Sequence, residues 1–198
     1  MPGSLTTLFS TPHFTRRDGA AWRVLQTYAN CEKAVQTHLD KVGVENYLPR
    51  ITVHLGPGGK SRSEIQLANV IFARYDVREH PGLCSNRNKL YPAAPARRVR
   101  EESILATMES CWRLETLSAR YPVEEVCSAT PPGEPCRLKG GPLSGSLGYR
   151  AVEDGRSVFY LPLPEDGRYA RVDMTQMEQS PRRVERQACC SKKKMSRH

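Results

Sequence analysis

The chain has 198 residues, 38% of them hydrophobic and 26% charged, with a formal net charge of +9. No apolar run approaches the roughly 20 residues that a membrane-spanning helix needs, so a non-membrane chain is expected, and the cysteine usage points to reduced thiols in the cytoplasm. Seven irregularly spaced cysteines without a C-x-x-C pair argue against a disulfide framework and against a zinc site, and no cofactor is implied.

Residues 1–20 carry Arg16-Arg17 but lack a basic start followed by an apolar core, and read as a flexible leader rather than a secretory signal. Trp22 to Thr27 favours a strand. Asn30 suits a helix N-cap, with Glu32 in the first turn and Ala34, Val35, His38, Leu39 and Val42 at helical spacing until Gly43. Ile51, Val53 and Leu55 alternate with Arg50, Thr52 and His54 as in a half-buried strand. Gly56 to Ser61 forms a hairpin tip, and Ile65, Leu67 and Val70 to Tyr75 supply the return and a further strand. Gly56 to Lys60 lacks the G-x-x-x-x-G-K-[ST] frame of a phosphate-binding loop. Residues 76–100 are rich in loop, with a short strand expected around Lys89 to Tyr91. Glu101 to Leu117 is a second amphipathic helix: Ile104, Met108 and Cys111 form a stripe with Leu105 and Trp112 beside it, and two glutamates suit the positive end of its dipole. The order β-α-β-β-β-α predicts an α+β domain over 21–117, an antiparallel sheet carrying two helices.

Pro122, Pro131-Pro132-Gly133 and Pro135 then mark a linker over 118–132. Beyond it, Cys136 and Leu138 alternate with Arg137 and Lys139, and Val158 to Leu163 and Tyr169 to Val172 are strand-like runs separated by Pro164 to Gly167. Between them lies Gly140-Gly141-Pro142-Leu143-Ser144-Gly145-Ser146-Leu147-Gly148, a tight, backbone-led turn. This rhythm predicts a small all-β barrel over 133–178. The remaining 179–198 form a basic tail. Residues 181–198 hold seven Lys or Arg against one Glu, leaving only +3 for everything before them. Arg182, Arg183, Lys192, Lys193 and Lys194 are therefore the nucleic-acid candidates, with a merely solvated tail as the alternative.

The glycine segment fills the slots of the KOW motif, a basic strand, then Gly-Pro-Leu, one residue, and Gly-x-x-Gly. With Trp22-Arg23-Val24-Leu25-Gln26-Thr27, Glu32-Lys33 and Gly43-Val44-Glu45-Asn46-Tyr47-Leu48-Pro49, it makes residues 21–178 resemble the NusG family, closest to its specialised UpxY- and RfaH-like paralogues. The resemblance implies an NGN-type N-terminal domain followed by an SH3-like KOW barrel. It also implies a non-enzymatic transcription elongation and antitermination factor that binds RNA polymerase. By the same resemblance the polymerase-binding residues would be Leu67, Val70, Phe72 and Tyr28. The KOW loop, Gly141, Pro142, Leu143 and Gly145, would meet a further partner, a ribosomal small-subunit protein or a termination factor. The family's Phe-Pro-Gly-Tyr bend is replaced here by Leu67-Ala68-Asn69-Val70, which puts that segment's shape in question.

Two other readings compete. Arg137, Lys139, Arg150 and Arg156 could face phosphates in a ribosome-associated or RNA-binding KOW protein. A cysteine-dependent enzyme could pair Cys31 with His38 or Cys84 with His80, but neither pair has an acid or an oxyanion hole in view.

Overall fold

The computed structural model describes residues 13–16, 19–55, 60–91, 99–139, 143–164 and 167–174. In chain order these residues form β1 (Ala21–Gln26), α1 (Glu32–Lys41), β2 (Glu45–Tyr47), β3 (Arg50–His54), β4 (Ser61–Ile65) and β5 (Val70–Tyr75). A 3-10 turn (Asn86–Asn88) and α2 (Glu101–Ser118) follow, and then β6 (Val123–Cys127), β7 (Glu134–Arg137), β8 (Leu147–Glu153), β9 (Arg156–Pro162) and β10 (Arg168–Asp173).

The first sheet has the order β1-β5-β2, with β5 central and antiparallel to both neighbours. A central strand covered on both faces must be apolar throughout, and Val-Ile-Phe-Ala-Arg-Tyr meets that demand with one exception, Arg74. Ile71, Ala73 and Tyr75 join Leu25 and the α1 residues Val35 and Leu39 in one core. Phe72 joins Trp22 and the α2 residues Ile104 and Met108 in another. The two helices thus take opposite faces of the sheet, as the alternation of side chains along a strand requires. The antiparallel sheet with two helices agrees with the sequence reading. The strand count differs, because Glu45–Tyr47 is a separate strand and β3-β4 make a two-stranded sheet of their own. Around Lys89 to Tyr91 the expected strand is reduced to an isolated bridge, Thr27 to Leu90.

Asn30 is not the N-cap of α1. It adopts φ 58°, and Cys31 caps the helix without a side-chain bond. The leader is also more structured than its composition suggests, since His13 to Arg16 lie against α2 and β1.

The second sheet has the order β6-β10-β9-β8-β7, all antiparallel. β6 falls inside the stretch expected as a linker; Pro122 and Pro131 flank this strand rather than fill it. Asp154 and Gly155, both at positive φ, turn β8 into β9 as a two-residue hairpin loop demands. Gly148 lies where β8 crosses the Phe159 ring, and a β-carbon there would meet that ring at 2.5 Å. The core of this sheet, with Phe159, Leu161, Ala170 and Val172, also contains Leu114, Leu117 and Tyr121 from the end of α2 and the residues after it. One helix therefore serves both sheets.

Candidate protein-docking face

The face of the first sheet that looks toward α2 is built by register. Val24 stands opposite Phe72, which stands opposite Tyr47, and the next row runs Trp22, Arg74, Glu45. Phe72 is 2% exposed, so this ring is core and offers nothing to a partner. Leu67, Val70, Tyr47 and Leu105 are half-buried around it, and Val24 is 43% exposed. The open part of the face is thus apolar, and Leu67 and Val70 are among the residues that line it.

The bend between those two residues survives without glycine. Asn69 takes φ 61°, a left-handed conformation that asparagine tolerates better than most residues. The Asn69 N–H donates to Glu32 Oε1 at 2.8 Å, and its carbonyl accepts from the Thr27 N–H at 2.9 Å. Glu32, buried at the start of α1, therefore fixes the turn that delivers Val70 to the face.

Charge is placed around this apolar patch. The Arg74 guanidinium lies 5.4 Å from the centre of the Trp22 ring and pairs with Glu45. The Tyr47 hydroxyl donates to Glu115 Oε2 at 2.9 Å. Burial, and then the nearby Glu115 charge, push the Tyr47 hydroxyl well above its ordinary pKa. Burial also raises Glu115, against the lowering effect of the Tyr47 bond. Glu101 Oε1 accepts from the Trp22 N–H at 3.0 Å, tying the start of α2 to β1.

The segment before β1 lies on this face. The His13 ring stacks parallel on Trp112 at 4.4 Å, and the His13 backbone N–H donates to Glu109 Oε2 at 2.8 Å. Phe14 packs edge-on against Trp22 at 5.7 Å and tilted against Tyr47 at 4.8 Å. Arg16 pairs with Glu101 at 3.6 Å and with Glu102. The helix-start backbone bond and then Arg16 hold the Glu102 carboxyl below its usual range. Nothing in the composition of the leader signalled this contact, because four residues carry no periodicity.

The other candidate residues fall elsewhere. Tyr28 donates its hydroxyl to Asn86 Oδ1 at 2.7 Å and packs on Tyr91 at 4.5 Å, apart from the cluster holding Leu67 and Val70. Leu143 is fully buried against the end of α2. Gly145, at φ 89°, donates its N–H to the Leu138 carbonyl at 2.8 Å and accepts from Arg137 Nη1 at 3.1 Å, so it shapes the turn. Gly141, Pro142, Arg182, Arg183, Lys192, Lys193 and Lys194 lie outside the described residues. Of the cysteines considered for catalysis, Cys31 caps α1 and Cys84 meets the Tyr75 hydroxyl at 3.3 Å. Cys111 is buried, and burial pushes its thiol up to about 12, which leaves it protonated and inert at neutral pH. Among the described residues no group of His, Cys, Asp or Glu could hold a metal ion, and no helix is long and apolar enough to cross a membrane.

The fold and face define an α+β unit with one apolar, acid-rimmed side, followed by an antiparallel five-stranded sheet. Residues 20–91 match the NusG family model, described as "Transcription termination factor nusG". A solved structure described as "Domain interaction in Thermotoga maritima NusG" aligns at 13% identity and a TM-score of 0.35, covering 80% of this chain and 95% of that one. No curated protein matches the sequence.

Proposed function

We propose that the chain is a NusG-type transcription factor of the specialised paralogue kind, which binds RNA polymerase through Leu67 and Val70 and suppresses pausing or termination. The observation that carries this reading is the NusG match over residues 20–91, which spans β1 to β5 and so contains both residues of the open apolar face. An exposed apolar patch on an otherwise polar surface is the usual mark of a protein-binding site. The five-stranded sheet would be a KOW-type, SH3-like barrel that recruits a ribosomal small-subunit protein or a termination factor. The basic tail would add a nucleic-acid contact. In this reading the protein acts in the cytoplasm by binding, without catalysis.

The test is retention of the purified chain by core RNA polymerase, beside a Leu67→Asp, Val70→Asp variant. Retention of the unsubstituted chain and its loss in a variant with an unchanged far-UV spectrum support the reading. Salt-sensitive RNA binding with no polymerase retention would favour an RNA-binding KOW protein instead.

A further inference from the structure

We propose that the groove between α2 and the first sheet is a docking site for a polypeptide segment bearing two adjacent rings and, two residues later, a guanidinium. Its occupant in this structure is the chain's own His13 to Arg16. The inference deepens the function proposed above and rests on it only in taking the polymerase as the partner that displaces this segment.

Three features of the groove specify that chemistry. The rings of Trp112, Trp22 and Tyr47 accept flat partners: His13 lies parallel on the first, within 4° of coplanar, and Phe14 meets the other two. Glu101 and Glu102, at the groove's end, hold the Arg16 guanidinium. Glu109 is 6% exposed and has the His13 N–H and Arg113 as donors. A carboxylate so deeply placed is costly when a donor leaves, so whatever replaces His13 must offer another N–H. Trp22 Nε1 is also buried without an acceptor among the described residues.

The occupant is held as a ligand is held. Among the described residues β1 pairs with β5 alone, so His13 to Arg16 add no strand to the sheet; stacked rings, ion pairs and one backbone N–H to carboxylate bond keep them in place. Phe14 packs in the same cluster as Leu67 and Val70. A partner gripping that face therefore competes with Phe14.

The experiment uses the two tryptophans of the chain, Trp22 and Trp112, since the segment touches both. A full-length chain carrying His13→Ala, Phe14→Ala and Arg16→Ala is titrated with a synthetic peptide of residues 11–19, and tryptophan fluorescence is recorded. Saturable binding that returns the spectrum toward that of the unsubstituted chain is expected. A peptide with serine at the Phe14 and Arg16 positions should not bind. The unsubstituted chain should bind the peptide at least about tenfold more weakly, because a short tether holds its own segment at a millimolar effective concentration. No saturable binding to a folded variant, or equal binding of the serine peptide, overturns the proposal. Should the triple variant not fold, Arg16→Glu alone must still bind the peptide more tightly than the unsubstituted chain does, and failure there overturns the proposal equally. The titration contains no polymerase, so peptide binding without polymerase retention sinks the polymerase reading and leaves the groove standing. Polymerase retention without peptide binding does the reverse.

Discussion

Gly148 and Gly155 lie seven residues apart in one hairpin and are required for different reasons. A β-carbon on Gly148 would stand 2.4 Å from the Tyr160 carbonyl oxygen and 2.5 Å from the Phe159 ring, both fixed in the sheet core. Gly155 has open space around it but sits at φ 75°. Gly148→Ala should therefore cost about 3 kcal/mol, the upper end for overpacking, and Gly155→Ala about 1 kcal/mol for the left-handed backbone. Urea denaturation of both variants measures the order, and equal costs would mean that β8 can move away from Phe159. Glu115 carries a different prediction. Burial raises its carboxyl above the ordinary 4.5, so the folded state binds the proton more tightly than the unfolded chain does. Its contribution to stability is then fully present below about 4.5 and is lost as pH rises through the folded value. Glu115→Gln keeps an acceptor for the Tyr47 hydroxyl and has no charge to bury. The thermal midpoint of the variant should therefore gain on that of the unsubstituted chain between pH 4.5 and 7. A difference that stays flat with pH would place Glu115 in contact with solvent.

Helix α2 is the element on which most of the molecule rests. Leu117 near its end is fully buried, and Leu117→Ala should cost about 3 kcal/mol, within the range for leucine truncation in a packed core. A loss under about 1 kcal/mol in chemical denaturation would mean that the sheet does not close on the helix. This helix was legible in the sequence because its stripe runs unbroken from Ile104 to Leu117 and its first turn is acidic. β5 was legible as a short, nearly continuous apolar run. β8 was not, because Leu147 and Val152 are among its most exposed residues and Gly148 interrupts its apolar face. The Asp154-Gly155 pair was nonetheless an available hairpin signal. β6 was hidden by the prolines on either side of it. Of the candidate face, Leu67 and Val70 were named through the family resemblance, whereas the burial of Phe72 depends on α2 covering that side, a tertiary fact that no local pattern encodes. The segment at His13 to Arg16 was invisible for the same reason, its partners on α2 lying about 80 to 100 residues away.

At the scale of the whole molecule, the five-stranded sheet and the β3-β4 pair share a single helix end. Leu114, Leu117 and Tyr121 pack with Phe159, Leu161, Ala170 and Val172 of the second sheet. From the other side, the Thr52 N–H donates to Ser118 Oγ at 3.0 Å, and His54 Nε2 bonds with the Ser118 carbonyl at 2.7 Å. Unfolding the five-stranded sheet alone would uncover that helix end, exposing Leu114 and Leu117, worth about 2 kcal/mol each in burial. The chain should therefore unfold as one cooperative unit rather than as two domains joined by a linker. Tryptophan fluorescence reports the first sheet through Trp22 and Trp112, and amide exchange at Val158 to Leu161 reports the second. The two probes should give one urea midpoint, and Leu114→Ala should lower both by the same amount. Separate midpoints, with Leu114→Ala moving one and not the other, would mean that the shared core opens at low cost, so that the second sheet could leave α2 while the first remains folded.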